Sequence, residues 1–268
     1  MYTKEDIKNQ LNALGVRADD VTLVHTSLRS VGELECGGIT LLDALVEYFT
    51  EGGGLLCVPT HTWDNLGKDK PTLDLTLAES NLGVFTELAA QDGRGVRSEN
   101  PTHSMMVFGN RERALEFIKD DAKVTTPTAP ESCYGKLCEM GGSVLLIGVS
   151  HNKNTYLHCV DEMLSTPNRM DDKYITVTVR RADGTLVERP FALYMTDYTE
   201  DISWRFHKYE TAFRYHGCVH DGFIGDAPTQ LCCARGMKRV VELIQSRSDG
   251  KDPLADEEPI SPTLYVNK

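Results

Sequence analysis

His158 and Asp161 stand three residues apart in NTYLHCVDE (154–162), and His61 and Asp64 repeat that spacing in THTWD (60–64). On a helix, positions i and i+3 share a face, so each acid can sit beside its imidazole. A carboxylate there selects the ring tautomer and raises its basicity, as a general base requires. The same four side chains could also ligate a metal, although the spacing is far looser than that of a Cys/His zinc site. A core histidine with satisfied hydrogen bonds is the third reading, and spacing leaves all three open. Cys159 follows His158 directly, but sequence neighbours do not point at each other, so adjacency makes no Cys–His nucleophile pair.

A second group of polar residues is HTSLRSVG (25–32), followed by CGG (36–38). Hydroxyls after a strand, then Arg29, then glycines before a helix, can hold phosphate through backbone N–H groups, hydroxyls and a forked cation. An ordinary strand-to-helix loop has the same composition. There is no Walker loop and no G-x-G-x-x-G, so nucleotide hydrolysis has no support. In SENPTHSMMVFG (98–109), Ser104 precedes an apolar run, where a hydroxyl or N–H can face a ligand.

The elements that must position these residues alternate over roughly the first 150 residues, as in an α/β chain. TKEDIKNQLNALG reads as a helix. Thr3 and Asp6 have capping-box spacing, Ile7, Leu11 and Leu14 share a face, and Gly15 stops it. GGITLLDALVEYFTEGGG reads as a second helix, capped by Thr40 and Asp43, with Ile39, Leu42, Leu45, Val46 and Phe49 inward. VTLV, GLLCVPT, MMVFG and SVLLIGV are short apolar runs that suit strands buried on both faces. In open α/β sheets ligands gather at the carboxyl ends of strands. Four polar loops are therefore expected to converge: HTSLRS, THTWD, PTHS and SHNKNTYLHCVDE. Beyond Asp171, alternating runs around Asp183-Gly184 signal an antiparallel hairpin in the C-terminal third. DAPTQLCCARGMKRVVELIQS reads as the last long helix, and the Pro- and acid-rich ending as a surface wrap.

A chain of 268 residues can bury a core without staples. No apolar run approaches the ~18–20 residues of a membrane span, and the N-terminal MYTKEDIKNQL is no secretory signal. A soluble cytoplasmic protein is expected. The eight cysteines form no C-x-x-C pair and read as buried free thiols. The net charge of −12 argues against nucleic acid and suits either solubility or a cationic ligand.

Nine segments occur in order: HTSLRSVG, CGG, VPTHTW, GVFTE (83–87), RSENPTHS, SCYGKL (132–137), LLIGVS (145–150), TYLHCVDE (155–162) and FIGDA (223–227). Together they resemble the aminoglycoside 3-N-acetyltransferase family, which is unrelated to the GNAT fold. The family pattern runs H-[ST]-S-L-[RS]-S-x-G, G-G, P-T-x-[ST], G-x-x-x-E, R-S-x-[HN]-P-x-x-S, S-x-x-x-K-L, I-G-V, T-x-x-H-x-x-[ED] and I-G-D-A. The resemblance spans roughly residues 5–245.

It implies one three-layer α/β/α domain over 1–268 with a mixed central sheet, acetyl-coenzyme A as co-substrate, and no metal. The implied reaction is acetyl transfer to the 3-amino group of a 2-deoxystreptamine antibiotic, giving resistance. The family's coenzyme A loop falls on Thr26, Ser27, Leu28, Arg29 and Ser30, its pre-strand serine on Ser104, its histidine on His158 and its glutamate on Glu87. Two positions depart from the pattern. Asp161 stands where the family usually has Glu, with Glu162 next to it, and Asn100 stands where many relatives have His.

An amine attacks a thioester only unprotonated, so a base is needed, and histidine suits it. Glu87 or Asp161 is expected to hold His158. Thr60, Ser104 and the N–H groups after it are expected to face the developing oxyanion. Thr60, His61, Trp63 and Asp64, with Glu162, are expected on the acceptor side, where Asp64, Glu87, Asp161 and Glu162 would meet its ammonium groups. Three alternatives stay open: an acyltransferase of the same fold acting on another amine, a metal-dependent hydrolase built on the two His/Asp pairs, and a coenzyme A-binding protein without turnover. A homodimer is also left open.

Overall fold

Thr3 starts the first helix by a reciprocal exchange. Its hydroxyl accepts from the Asp6 N–H at 3.2 Å, and the Asp6 carboxylate accepts from the Thr3 N–H at 2.8 Å. In the computed structural model, which describes residues 1–195 and 201–266, helix α1 then runs Lys4–Leu14 and ends at Gly15 in the left-handed region. The other helices are α2 (Gly38–Gly52), α3 (Val84–Gln91), α4 (Arg111–Ile118), α5 (Cys133–Met140), α6 (Tyr156–Met163), α7 (Glu210–Tyr215) and α8 (Ala234–Arg247). The strands are β1 (Val21–Thr26), β2 (Leu55–Pro59), β3 (Leu73–Asp74), β4 (Val96–Arg97) and β5 (Met105–Gly109). They continue with β6 (Ser143–Ile147), β7 (Met170–Arg180), β8 (Leu186–Tyr194), β9 (Val219–Ile224) and β10 (Ala227–Cys233).

The central sheet has the order β4-β5-β2-β1-β6-β10-β9. Its middle is parallel, with β1 between β2 and β6. Both flanks are antiparallel. The strand period of two sends Val24 to the face covered by α1, α2 and α3, and Val21 and Leu23 to the face covered by α5, α6 and α8. This is the three-layer α/β/α arrangement with a mixed sheet. Because β5 is antiparallel to β2, Met105 pairs with Pro59. The residues that enter β5 therefore lie at the same edge as those that leave β1, β2 and β6.

The Asp183-Gly184 turn closes the expected β7–β8 hairpin, with the Asp183 carboxylate accepting from the Thr185 N–H at 2.9 Å. β3 joins β7 in parallel, giving a second sheet of three strands.

Several expectations are corrected. The APTQLCC part of the expected last helix is strand β10, and the helix starts only at Ala234. APTQLCC alternates two sides of the sheet, Ala227 and Leu231 against one face and Cys232 against the other, and pairing with β6 and β9 decides its conformation. In α2, Ile39 is 51% exposed and Leu41 takes the inward place. Gly37 is the N-cap. Thr40 instead accepts from the Cys36 N–H at 2.7 Å, and Asp43 pairs with Arg94. All eight cysteines are free, but Cys36 and Cys233 are exposed.

The chain ending does run along the outside, pinned by Leu254, Ile260 and Tyr265 in the core. Lys208 donates to the Pro253 and Asp256 carbonyls, and Arg205 to those of Leu254 and Ala255, all at 2.8–2.9 Å.

Candidate active site

The four polar loops meet. Thr26 ends β1 and Ser27 follows it, His61 and Trp63 follow β2, His103 precedes β5, and residues 152–155 with His158 follow β6. Together they line a cleft of about 530 Å³ at the carboxyl edge of the parallel strands.

Close packing behind this edge needs glycine. Gly148, just past β6, has φ 64°, and a Cβ there would stand 2.5 Å from the Ser30 Cβ. Gly225 of FIGDA has φ 59°, and a Cβ there would stand 2.1 Å from the Val31 carbonyl. FIGDA thus braces the back of the 25–32 loop, and the Asp226 N–H donates to that same carbonyl at 2.9 Å. Within the loop, Leu28–Val31 is a 3-10 turn. The Ser30 hydroxyl donates to that of Ser27 at 2.8 Å, Leu28 packs on the core, and Arg29 is exposed.

α6 forms where Tyr156, Leu157 and Val160 face the core, and it turns His158 to the cleft. The imidazole is 7% exposed. It stacks on Tyr194 with centroids 4.4 Å apart and meets the Phe206 ring edge-on at 4.8 Å. Burial lowers its pKa to about 4, with Asp201 opposing and Arg169 adding to the shift. His158 is therefore a free base at neutral pH.

Three more imidazoles sit nearby. The His61 Nε2 is 2.8 Å from the Tyr134 hydroxyl, and its ring lies 4.2 Å from that of His103. The His103 Nδ1 is 2.8 Å from the Thr102 hydroxyl. His25, on β1, is buried, and its Nε2 has no partner. Burial lowers the pKa of all three. His103 adds to the shift of His61, and His158 to that of His103.

The expected acids lie elsewhere. Asp161 does not hold His158. Its carboxylate accepts from Arg169 Nε at 2.9 Å, while the other two guanidinium nitrogens bind Asp252 at 2.8 and 2.9 Å. Burial raises the Asp161 pKa against the pull of Arg169. Glu162 accepts from the Thr128 N–H and hydroxyl at 2.9 and 2.6 Å and from the Thr126 hydroxyl. Thr128 in turn bonds the Tyr194 hydroxyl at 2.7 Å, so Glu162 reaches His158 only through two intermediaries. Glu87 is exposed on α3, where its neighbour Thr86 lines the cleft instead. Asp64 is exposed and outside the lining. The two His/Asp pairs thus form no joint cluster.

Thr60 and Ser104 are fully buried behind the lining. The Ser104 hydroxyl donates to the Thr60 carbonyl at 2.7 Å, and Arg97 donates to that carbonyl at 2.6 Å. They brace the two loops and do not face the cleft.

The residues that sequence reasoning passed over are His25, His103, Tyr194 and Asp201. His25 and His103 stand inside HTSLRS and PTHS, and a strand-end histidine is itself a signal. Tyr194 ends β8. Asp201 accepts from the Ser203 N–H at 2.9 Å, a helix-start pattern legible as Asp-x-Ser before an apolar-periodic stretch.

The buried imidazoles make a stability prediction. Their folded pKa values lie below the unfolded value, so the native state binds fewer protons than the unfolded chain as pH falls below about 6.5. Stability is full above that pH and declines toward pH 4. A histidine shifted from 6.5 to about 4 costs about 2 kcal/mol at pH 5. Thermal midpoints measured from pH 7.5 to 5 should fall, and His25→Phe should flatten the curve. A midpoint constant over that range contradicts the burial account.

The sequence profile of the family described as aminoglycoside 3-N-acetyltransferase matches residues 23–245. Aminoglycoside N(3)-acetyltransferase IV of Salmonella sp is 32% identical over 166 residues, 62% of this chain and 61% of that protein. A prophage-derived aminoglycoside N(3')-acetyltransferase-like protein, YokD of Bacillus subtilis, is 25% identical over 178 residues, 59% of this chain and 64% of that protein. The chain thus spans less than two thirds of the length of these relatives. The crystal structure of the aminoglycoside acetyltransferase AAC(3)-IVa apoenzyme superposes with a TM-score of 0.76 at 25% identity, covering 100% of this chain and 92% of that one. The fold is shared as well with AAC-IIIb, crystallised with CoASH, at a TM-score of 0.78 and 24% identity over 94% of this chain and 99% of that one. A profile that runs from within β1 to within α8, on a fold of the same architecture, makes the chain a member of the aminoglycoside 3-N-acetyltransferase family.

Proposed function

We propose that this protein is an N-acetyltransferase that moves the acetyl group of acetyl-coenzyme A to the 3-amino group of a 2-deoxystreptamine aminoglycoside. The modification would confer resistance to the drug. The observation that carries the reading is the place of the His158 imidazole, on the cleft wall that Thr26 and Ser27 also line, in a chain of this family.

Acetyl-coenzyme A supplies an activated acyl carbon. His158 takes the proton from the attacking amine as the nitrogen bonds to that carbon, without an acyl-enzyme stage. Tyr194 and Phe206 fix the ring plane, and the Glu162–Thr128 bonds fix Tyr194. Thr26 and Ser27 bind the acyl donor, with Leu28 and Ser30 shaping their turn. Arg29 offers its cation to the phosphates. Arg29→Ala should raise the KM for acetyl-coenzyme A about tenfold with a smaller change in kcat, as loss of uniform binding does. A pure kcat loss in steady-state assays would remove Arg29 from phosphate binding. His61 and Trp63 form the acceptor side, while Thr60 and Ser104 hold the loops in register.

A panel of amines with release of free coenzyme A thiol as the readout tests the reading. Turnover with deoxystreptamine drugs is expected, and its absence across that class overturns the acceptor assignment. A second reading, an acceptor of lower charge, draws on one observation. Among the described residues Asp201 is the carboxylate on the cleft lining, and Lys153 lies on the same lining. Acetylation of simple amines alone would select it.

A further inference from the structure

The residues expected to face the oxyanion, Thr60 and Ser104, are buried and spent on each other's loops. Their neighbours His61 and His103 line the cleft instead. Both occupy open positions of that pattern, the x of P-T-x-[ST] and the second x of P-x-x-S, so the pattern assigns neither a role.

The hydrogen bonds behind the rings assign their tautomers. The Thr102 hydroxyl is fully buried, and the His103 Nδ1 is its one partner among the described residues. A buried O–H left unpaired is costly, so the hydroxyl donates and Nδ1 accepts. The proton of the neutral ring is then on Nε2. The Tyr134 hydroxyl is likewise buried and has the His61 Nε2 as its partner. It donates, which leaves the His61 proton on Nδ1. These two N–H groups have no protein partner among the described residues, and both residues line the cleft. The rings lie 4.2 Å apart, and His103 meets Tyr194, the platform of His158, edge-on at 5.5 Å. A donor pair and a base thus flank one space.

We infer that the N–H groups of His61 and His103 receive the negative charge on the acyl oxygen during transfer. The inference rests on the acyltransferase reading above. As the amine nitrogen bonds to the acyl carbon, the carbonyl electron pair moves onto oxygen, and the amine proton passes to His158. When the pair returns, the carbon–sulfur bond breaks and the thiolate leaves, taking that proton. Neutral imidazole N–H groups, held in place before the charge develops, stabilise it without reorganisation.

Two measurements test this. Nitrogen resonances of isotopically labelled histidines at pH 7 should show His103 protonated on Nε2 and His61 on Nδ1. The opposite tautomer at His103, or a charged ring, overturns the inference whatever the enzyme's activity. In kinetics, His103→Phe, which keeps a planar ring but has no donor, should lose about 10²-fold in kcat with KM for the acyl donor within about threefold. His103→Gln, which restores an N–H, should recover most of it. Equal loss in both variants points to packing and overturns the inference, as does a His103→Phe enzyme within a few-fold of wild type. Wild-type protein without turnover on any amine removes the acyltransferase reading and this inference with it. Turnover that survives His103→Phe removes this inference alone.

Discussion

His158→Ala is expected to lose about 10²- to 10⁴-fold in kcat while still binding acetyl-coenzyme A within a few-fold of wild type. The base contributes only when a proton leaves the amine, and no observed contact ties His158 to the Thr26–Ser30 loop, so donor affinity has little reason to move. The ring is gripped between Tyr194 and Phe206, so its removal leaves a gap, and a modest stability loss at pH 7 is expected too. Added imidazole should restore part of the turnover by entering that gap. Steady-state rates with calorimetric donor binding decide the matter. Activity within a few-fold of wild type would take His158 out of the mechanism.

Asp161→Ala should behave in the opposite way. The carboxylate is three residues from His158 but is bound to Arg169, and both side chains are almost fully buried, 4% and 3% exposed. Removing one member of a buried pair leaves a charge without full compensation, typically about 3–5 kcal/mol. Asp252 still holds the other guanidinium nitrogens, which places the loss toward the lower end. For a chain of this size that is a fall in Tm of roughly 10 °C. The kcat per folded molecule should stay within about tenfold, since the acid is bound to Arg169 and its loss perturbs position more than chemistry. Asp161→Ala with an unchanged Tm, or with a kcat as low as that of His158→Ala, would show the acid at work on the imidazole after all.

These two variants mark what could be read in advance. Three apolar runs followed by polar loops, and MMVFG preceded by one, were enough to locate the cleft, because parallel β1, β2 and β6 deliver their ends to the edge where antiparallel β5 begins. The hairpin was legible from Asp183-Gly184. The i, i+3 spacing placed His158 and Asp161 on neighbouring helix positions. It carried no information about what lay opposite them, and Arg169 reaches Asp161 from beyond the helix end. At the entry to β5, Ser104 was expected at the site and His103 is there. His103 belongs to the turn at 101–103 and Ser104 to the run into β5, so one residue separates lining from brace. APTQLCC has weak strand propensity and became β10 through its neighbours in the sheet, which no local pattern records.

The outer run of the chain ending has a mechanical consequence. It is fastened to Arg169, which holds α6, and to Lys208 and Arg205 on the Ile202–Tyr209 segment that carries Phe206. The imidazole is thus held in a vice whose jaws are α6 and the Ile202–Tyr209 segment and whose screw is the chain ending. Slackening the ending would loosen both jaws together, and amide exchange in α6 should speed up in step with exchange in residues 251–256, before the central sheet opens.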